Sequence, residues 1–107
     1  MEISKKDWKL FREKLPGWQE QYMATLNASY IELLSGPEIA SEKFWELGRR
    51  IRQDKRHPGV VVSGLRPSDV PYLLCRLRYD HVITDEDLVD FSEELQRVVA
   101  AQCNEET

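Results

Sequence analysis

One amphipathic stretch, residues 18–34, constrains the fold more than any other part of the chain. Its apolar residues recur every three to five positions, so on an α-helix they form one broad stripe. The stripe consists of Trp18, Tyr22, Met23, Leu26, Tyr30, Leu33 and Leu34. Such a helix would be about 27 Å long. Because it cannot bury this stripe alone, the sequence predicts other helices packed against it.

The segment before this stretch is also helical. Ser4 is a natural N-cap, and Asp7 three positions later could complete a capping box for a first helix over about 5–15. Pro16 and Gly17 then predict a sharp bend or a break before the central helix. The alternative is one longer helix kinked at Pro16, since proline is tolerated in the first turn of a helix.

Three more helices are predicted after the stop signal at residues 35–37. The third begins at about 38–41 and ends before Pro58, with an apolar line that includes Gly48, a residue that predicts close approach of another helix. The fourth begins at 67–69 and is very apolar, so it should be central. The fifth begins after Thr84, whose spacing to Asp87 is that of a capping box.

These segments predict an all-α protein: a compact bundle of about five helices in one domain, residues 1–107, with 1–3 and 104–107 frayed and no significant sheet. Residues 60–62 are valines, which leaves open a short strand or a buried connector. Seven of the ten aromatic residues lie in the first 45 positions. The N-terminal half is therefore expected to carry most of the core.

Composition limits the classes of function. The net charge is −4, which disfavours general binding to nucleic-acid phosphates. Cys75 and Cys103 have no metal or redox spacing, and we expect Cys75 to be buried and Cys103 exposed. The cysteine usage and the absence of a signal-peptide pattern or a long apolar run predict a cytoplasmic protein with no membrane span.

The turn at residues 80–88 is similar to the second half of an EF-hand loop. The two earlier ligand positions, however, are Arg76 and Arg78, and cations there exclude a calcium site. A DNA-reading helix after this turn is also excluded, since it would present a dense row of carboxylates to phosphates. The turn is therefore interpreted as a helix–turn–helix corner, with Val82 and Ile83 filling the core.

No catalytic motif is present. His57 and His81 fall at predicted turns without a second ligand at metal spacing, and they have only Asp54 and Asp80 nearby as orienting acids. No phosphate-binding loop, nucleophile elbow or paired-cysteine motif occurs. We therefore expect no enzyme activity, no cofactor and no metal ion.

Two charged surfaces are candidate binding sites. The basic patch consists of Arg49, Arg50, Arg52, Lys55 and Arg56, and it could hold an RNA backbone or pair with the fifth helix. The acidic face consists of Glu86, Asp90, Glu93 and Glu94, on adjoining rows of the predicted fifth helix. A row of carboxylates can imitate nucleic-acid phosphates or dock on a basic protein surface.

Four segments carry a resemblance to a known group of proteins: residues 1–14 followed by Pro16 and 18–20, residues 40–45, residues 54–60, and the corner at 82–84. With these segments the chain resembles a family of small Firmicutes proteins encoded on integrative mobile elements. Some relatives are labelled multidrug transporters, which a chain without a membrane span does not support. The chain departs at residues 80–81, Asp-His, where relatives tend to have Asp-Gly.

The resemblance implies an accessory regulator or an inhibitor of host defence. An anti-CRISPR protein is similar in size and charge, and it can block an effector nuclease by occupying its nucleic-acid channel. We therefore expect a non-catalytic protein-binding module that inhibits a nucleic-acid-handling protein through the acidic face. The alternative is a small RNA-binding regulator that uses the basic patch. Exposed aromatic residues such as Trp45 or Tyr79 would also suit a homodimer seam.

Overall fold

The computed structural model describes the backbone of residues 2–106 and the side chains of residues 2–104. In these residues the α-helices are α1 (Lys5–Leu34), α2 (Ala40–Asp54), α3 (Val70–Tyr79) and α4 (Glu93–Glu106). Short 3-10 turns occur at Pro67–Asp69 and Asp85–Leu88. No strand occurs in the described part, so the all-α class is confirmed, whereas the count of about five helices is slightly off. Residues 60–62 form an irregular connector.

The expected break at Pro16 does not occur, because α1 continues through it. Phe11, Leu15 and Trp18 are all buried, and together they hold the helix on both sides of the proline against the same core. Pro16 and Gly17 are exposed. The carbonyl that proline leaves without a donor therefore lies on the side of the helix that water can reach. Tertiary packing outweighs the local helix-breaking signal.

The core lies between the first half of α1 and the C-terminal half of the chain. Its members from residue 70 onward are Val70, Leu73, Leu74, Cys75, Leu77, Ile83, Leu88, Phe91, Leu95 and Val99. The expectation of a core mainly in the N-terminal half is wrong. Of the stripe over residues 18–34, only Trp18 is buried. The central element is α3, as its apolar sequence predicts, and Leu74 and Leu77 are fully buried.

The predicted fifth helix is divided in two. Thr84 and Asp87 form the expected capping box, in which the Thr84 N–H donates to the Asp87 carboxylate at 2.8 Å, but the box caps only a 3-10 turn. α4 starts later, after Ser92, whose hydroxyl accepts from the Leu95 N–H at 3.2 Å. The buried carboxylate of Asp7 accepts from the Ser92 N–H at 3.0 Å and from its hydroxyl at 2.6 Å. This contact fixes where α4 begins.

At the chain ends, Ile3 packs against the core and α4 extends to Glu106. The fraying of residues 1–3 and 104–107 stays a prediction. Residues 1 and 107, also expected to fray, lie outside the described residues. Cys103 is half-buried rather than exposed, with its Sγ 3.7 Å from the Cys75 carbonyl oxygen.

The second half of α1 and all of α2 form an antiparallel hairpin that extends from the core. From Trp18 to Leu34 the helix rises about 24 Å, and the molecule measures 51 Å along its longest axis. Two contacts hold the base of the hairpin: the Tyr22 ring stacks on His57 at 4.9 Å, and the Gln19 amide donates to the Pro58 carbonyl at 3.0 Å. Among the described helices, none combines the length and the apolar character needed to cross a membrane.

Candidate functional site

Five large apolar side chains near the far end of the α1–α2 hairpin are exposed, and we name them together the apolar tip. It consists of Ile31, Leu34, Ile39, Phe44 and Trp45, with exposed fractions between 46% and 68%. The Phe44 and Trp45 rings pack edge to face at 5.1 Å. The sequence pattern predicts Leu34 and Phe44 in the core, and of the tip residues only Trp45 was expected to be exposed. The signal was present, since these apolar residues flank the Gly-Pro turn that separates the two helices.

α2 has an apolar row that the rest of the chain covers only in part, and we name it the α2 stripe. Phe44 is exposed, Gly48 is half-buried and Ile51 is 36% exposed. The stripe comprises Phe44, Gly48 and Ile51, which share one side of the helix at spacings of four and three. No residue of α2 is buried. A different row faces α1, and its half-buried members are Lys43, Glu46, Leu47, Arg50 and Asp54. The apolar line that the sequence predicts for this helix is Phe44, Leu47, Gly48 and Ile51. Leu47 and Gly48 are half-buried, whereas Phe44 is exposed, so the line is only partly covered.

Gly48 lies at the middle of the α2 stripe, is half-buried and has the Arg52 side chain beside it. A Cβ atom built on Gly48 would meet only Arg52 Nη1, at 3.7 Å, which is ordinary van der Waals contact. The close approach of another helix that the glycine predicted is therefore not made by the described chain. Glycine within a helix is less favourable than alanine by about 1 kcal/mol. The fold of the single chain gives no reason for that cost.

A groove of about 290 Å³ runs beside the stripe, between α1 and α2. Met23, Tyr30, Ile51 and Val60 contribute to its walls. The Tyr30 hydroxyl donates a hydrogen bond to the Asp54 carboxylate. Burial and this hydrogen bond raise the pKa of Tyr30 to about 12. The groove is thus mainly apolar, and its phenol stays neutral and anchored.

A larger groove of about 470 Å³ lies between α3 and α4. Tyr79, Leu88 and Cys103 contribute to its walls. The ion pair between the Arg78 Nε and the Asp85 carboxylate, at 2.7 Å, also borders it. Tyr79 is 57% exposed. Tyr79 therefore borders the groove between α3 and α4 and is not part of the apolar tip.

The basic patch is partly neutralised within α2. Arg49 binds the Glu46 carboxylate through two nitrogens, at 2.6 and 2.9 Å, and Arg50 donates to the same group at 3.2 Å. These hydrogen bonds lower the pKa of Glu46 to about 2. The alternative pairing of the patch with the fifth helix is wrong for these two arginines. Arg52, Lys55 and Arg56 are exposed.

The acidic face does not lie on one helix. Glu86 belongs to the 3-10 turn, Asp90 follows that turn, and Glu93 and Glu94 occupy the first turn of α4. The regular rows that defined the face are therefore absent. Asp90 accepts from the Lys14 ammonium at 3.2 Å. Acidic side chains in a first helical turn also favour the positive end of the helix dipole, which is a structural reason for the two glutamates.

A polar cluster joins the segment after α2 to α3, and we name it the clasp. It consists of His57, Gly59, Arg76 and Asp80. His57 Nε2 lies 2.7 Å from Asp80 Oδ2, and Arg76 Nε donates to the same oxygen at 2.7 Å. His57 Nδ1 accepts from the Gly59 N–H at 2.9 Å, so in the neutral ring the proton is on Nε2 and faces Asp80. Burial opposes ionisation of Asp80, but the two hydrogen bonds outweigh it and lower the pKa of Asp80. Both ring nitrogens are engaged, so the clasp has a structural role.

In and beside the turn after α3, the acidic residues that are similar to EF-hand ligands form ion pairs with arginines of α3. Arg76 and Arg78 hold the carboxylates of Asp80 and Asp85, which would otherwise be metal ligands. His81 is in the left-handed region with a φ of 61° and is exposed. Ile83 fills the core as predicted and is 1% exposed. Among the side chains described, no group of three or more His, Cys, Asp or Glu residues could hold a metal ion.

Comparison of the chain with protein-family models, with curated proteins and with solved structures found no match. The resemblance to small Firmicutes proteins of mobile elements therefore stays a prediction.

Proposed function

We propose that this protein is a non-catalytic protein-binding module that engages its partner through the apolar tip and the α2 stripe. The observation that carries the proposal is the exposure of two adjacent aromatic residues, Phe44 at 66% and Trp45 at 68%. At roughly 200 Å² per ring, these fractions correspond to about 270 Å² of apolar surface. The aliphatic members of the tip add a comparable area.

The size of this surface favours binding over a purely structural role. The largest apolar patch on a typical monomer covers about 300–600 Å² and is often functional. The Phe44–Trp45 pair alone exposes about 270 Å², close to the lower end of this range, and the other exposed apolar side chains of the hairpin add to it. The hairpin also holds these residues on two long helices, so they are presented at little cost in conformational entropy.

The chemistry of the clasp supports a binding role rather than catalysis. His57 has Asp80 at one ring nitrogen and the Gly59 N–H at the other. A general base needs a free lone pair within reach of a substrate proton. With both nitrogens occupied, this histidine positions the connector instead.

We further propose that a partner with a basic surface contacts the acidic face, as expected of an inhibitor of a nucleic-acid-handling protein such as a CRISPR effector nuclease. Glu86, Glu93 and Glu94 are exposed, and no ion pair in the described part of the chain involves them. Exposed carboxylates of this kind steer a basic partner and make its association salt-dependent. The RNA-binding alternative is weaker, because Glu46 holds two of the five cations of the basic patch.

The test begins by isolating bound proteins from the natural host at moderate salt and reconstituting the complex from purified components. Phe44→Glu with Trp45→Glu should lower affinity at least tenfold, while Gln21→Glu with Ala24→Glu, which adds the same charge at exposed positions of α1, should not. Reversal of Glu86, Glu93 and Glu94 should mainly reduce the salt dependence of association. A partner that binds the tip variant as tightly as the unmodified chain would overturn the proposal.

A further inference from the structure

We propose that the clasp is a pH-sensitive switch, which holds the base of the α1–α2 hairpin while His57 is neutral and releases the turn at residues 57–60 when His57 binds a proton. The evidence is the pair of hydrogen bonds made by the His57 ring and the contacts beside them. This inference does not depend on the proposed function, because it concerns how the hairpin is held rather than what the hairpin binds.

The neutral His57 ring satisfies two partners at once. Its Nε2–H donates to Asp80 Oδ2 at 2.7 Å, and its Nδ1 accepts from the Gly59 N–H at 2.9 Å. Gly59 is buried. A buried backbone N–H without an acceptor is costly, since it has given up its hydrogen bond to water. The turn therefore depends on His57 Nδ1 as the acceptor for this N–H.

Binding of a proton reverses the role of Nδ1. The proton comes from solvent and adds to the Nδ1 lone pair, so both ring nitrogens become donors. Nε2–H keeps its acceptor, because the carboxylate of Asp80 accepts from an imidazolium as it does from the neutral ring. At Nδ1, in contrast, the new N–H points at the Gly59 N–H, and two donors cannot form a hydrogen bond. The Gly59 amide therefore has to move away from the ring.

Movement of Gly59 affects the contacts that hold the hairpin base. The Tyr22 ring stacks on the His57 ring at 4.9 Å, and a Cβ atom built on Gly59 would lie 2.5 Å from Tyr22 Cδ2. The carbonyl of the preceding residue, Pro58, accepts from the Gln19 amide at 3.0 Å. Since these contacts all involve residues 57–59, one proton on one ring reaches each of them.

The titratable and charged side chains around the ring come from three helices. α1 contributes Tyr22, the end of α2 contributes Asp54, and α3 contributes Arg76 and Asp80. Burial raises the pKa of Tyr22, whereas the pKa of Asp80 is lowered despite burial, by its hydrogen bonds from Arg76 and His57. Tyr22 and Asp80 therefore keep one charge state between about pH 5 and 8, the range in which histidine side chains ordinarily titrate.

The first test follows His57 and Gly59 by NMR between about pH 8 and pH 5. The ring ¹⁵N shifts of His57 should show a proton on Nε2 alone at the higher pH and on both nitrogens at the lower pH. With the same midpoint, protection of the Gly59 amide against hydrogen exchange should fall at least about tenfold, measured relative to an unstructured chain at the same pH. The side-chain amide signals of Gln19 should shift with that midpoint as well.

Two substitutions hold the turn in one state each. In His57→Asn the side-chain oxygen can replace Nδ1 as acceptor and does not titrate, so Gly59 should stay protected throughout. In His57→Gln the longer amide reaches Asp80 instead, so Gly59 protection should be low at both ends of the range. His81→Asn is the matched control, because His81 is exposed with a φ of 61°, a conformation that asparagine tolerates. This control should keep the full pH response.

Several outcomes would overturn the switch. One is a His57 ring that stays neutral throughout this pH range, and another is a ring that binds a proton while Gly59 keeps its protection. A pH-dependent loss of protection that persists in His57→Asn would also overturn it, as would loss of helix by circular dichroism over the same range, since the proposed change is local. Binding at the apolar tip is tested separately by Phe44→Glu with Trp45→Glu, so either proposal can fail alone.

Discussion

The buried carboxylate of Asp7 offers a direct test of how the fold is held together. Asp7 is 2% exposed and accepts two hydrogen bonds from Ser92, 85 residues away in sequence, at 3.0 and 2.6 Å. Ser92 in turn caps α4 through the Leu95 N–H. Asp7→Ala would therefore remove the contact that joins the start of α1 to the start of α4 and would leave the Ser92 N–H without its acceptor.

The expected loss of folding stability is large for a single substitution. A hydrogen bond to a charged group contributes about 1.5–3 kcal/mol to the free energy of unfolding, and leaving a buried donor unpaired lowers it further. We expect Asp7→Ala to lower the free energy of unfolding by about 3 kcal/mol, measured by urea denaturation followed by circular dichroism. For a domain of this size the melting temperature should fall by about 12–20 °C.

Two further variants test whether Asp7 stabilises the fold through Ser92. Glu13→Ala removes an exposed partner of Lys9 on the same helix, with the pair 4.0 Å apart, and should change the free energy by less than about 0.5 kcal/mol. If Asp7 acts through Ser92, Asp7→Ala combined with Ser92→Ala should cost at least about 1 kcal/mol less than the sum of the single changes. A loss below about 1 kcal/mol for Asp7→Ala, or strict additivity in the double variant, would refute the argument.

Three other predictions concern titration and packing. Absorbance titration should show a tyrosine with a pKa of about 12, because burial and the hydrogen bond to Asp54 disfavour the Tyr30 phenolate, and this titration should be absent in Tyr30→Phe. The free energy of unfolding should accordingly fall as the pH rises from about 10 to 12. The pKa of Asp80 is lowered below 3.8, so its stabilisation is present at neutral pH and lost on acidification below that range; Asp80→Asn should flatten this loss in melting curves across pH. Leu74→Ala should cost about 2–5 kcal/mol in urea denaturation, whereas Val89→Ala should cost less than about 0.5 kcal/mol, because Leu74 is fully buried and Val89 is exposed.

Local signals predicted the helix starts and stops that depend on neighbouring residues. Ser4 caps α1 through the Asp7 N–H at 3.1 Å, and Thr84 and Asp87 form their capping box. The Gly-Pro pair at residues 36–37 separates α1 from α2. Each of these features involves groups no more than four residues apart. Residue type and spacing were therefore sufficient.

Long-range contacts decided the features that the sequence did not predict. α1 crosses Pro16 because Phe11 and Trp18 are anchored in the same core on either side of it. α4 starts at residue 93 because Asp7 holds Ser92. Neither partner can be inferred from spacing along the chain. The same holds for the clasp, whose histidine and carboxylate are 23 residues apart.

The α2 stripe shows why an apolar pattern alone does not locate a core. Helical periodicity predicts that a face will be buried, but not by what, and the same spacing describes a core helix and an interface helix. α3 buries its apolar face inside the chain, whereas α2 has no buried residue and carries Gly48 without a close neighbour. In the proposed function, a partner protein covers the part of this face that the chain leaves exposed. The mismatch between pattern and burial is the main functional signal of this structure.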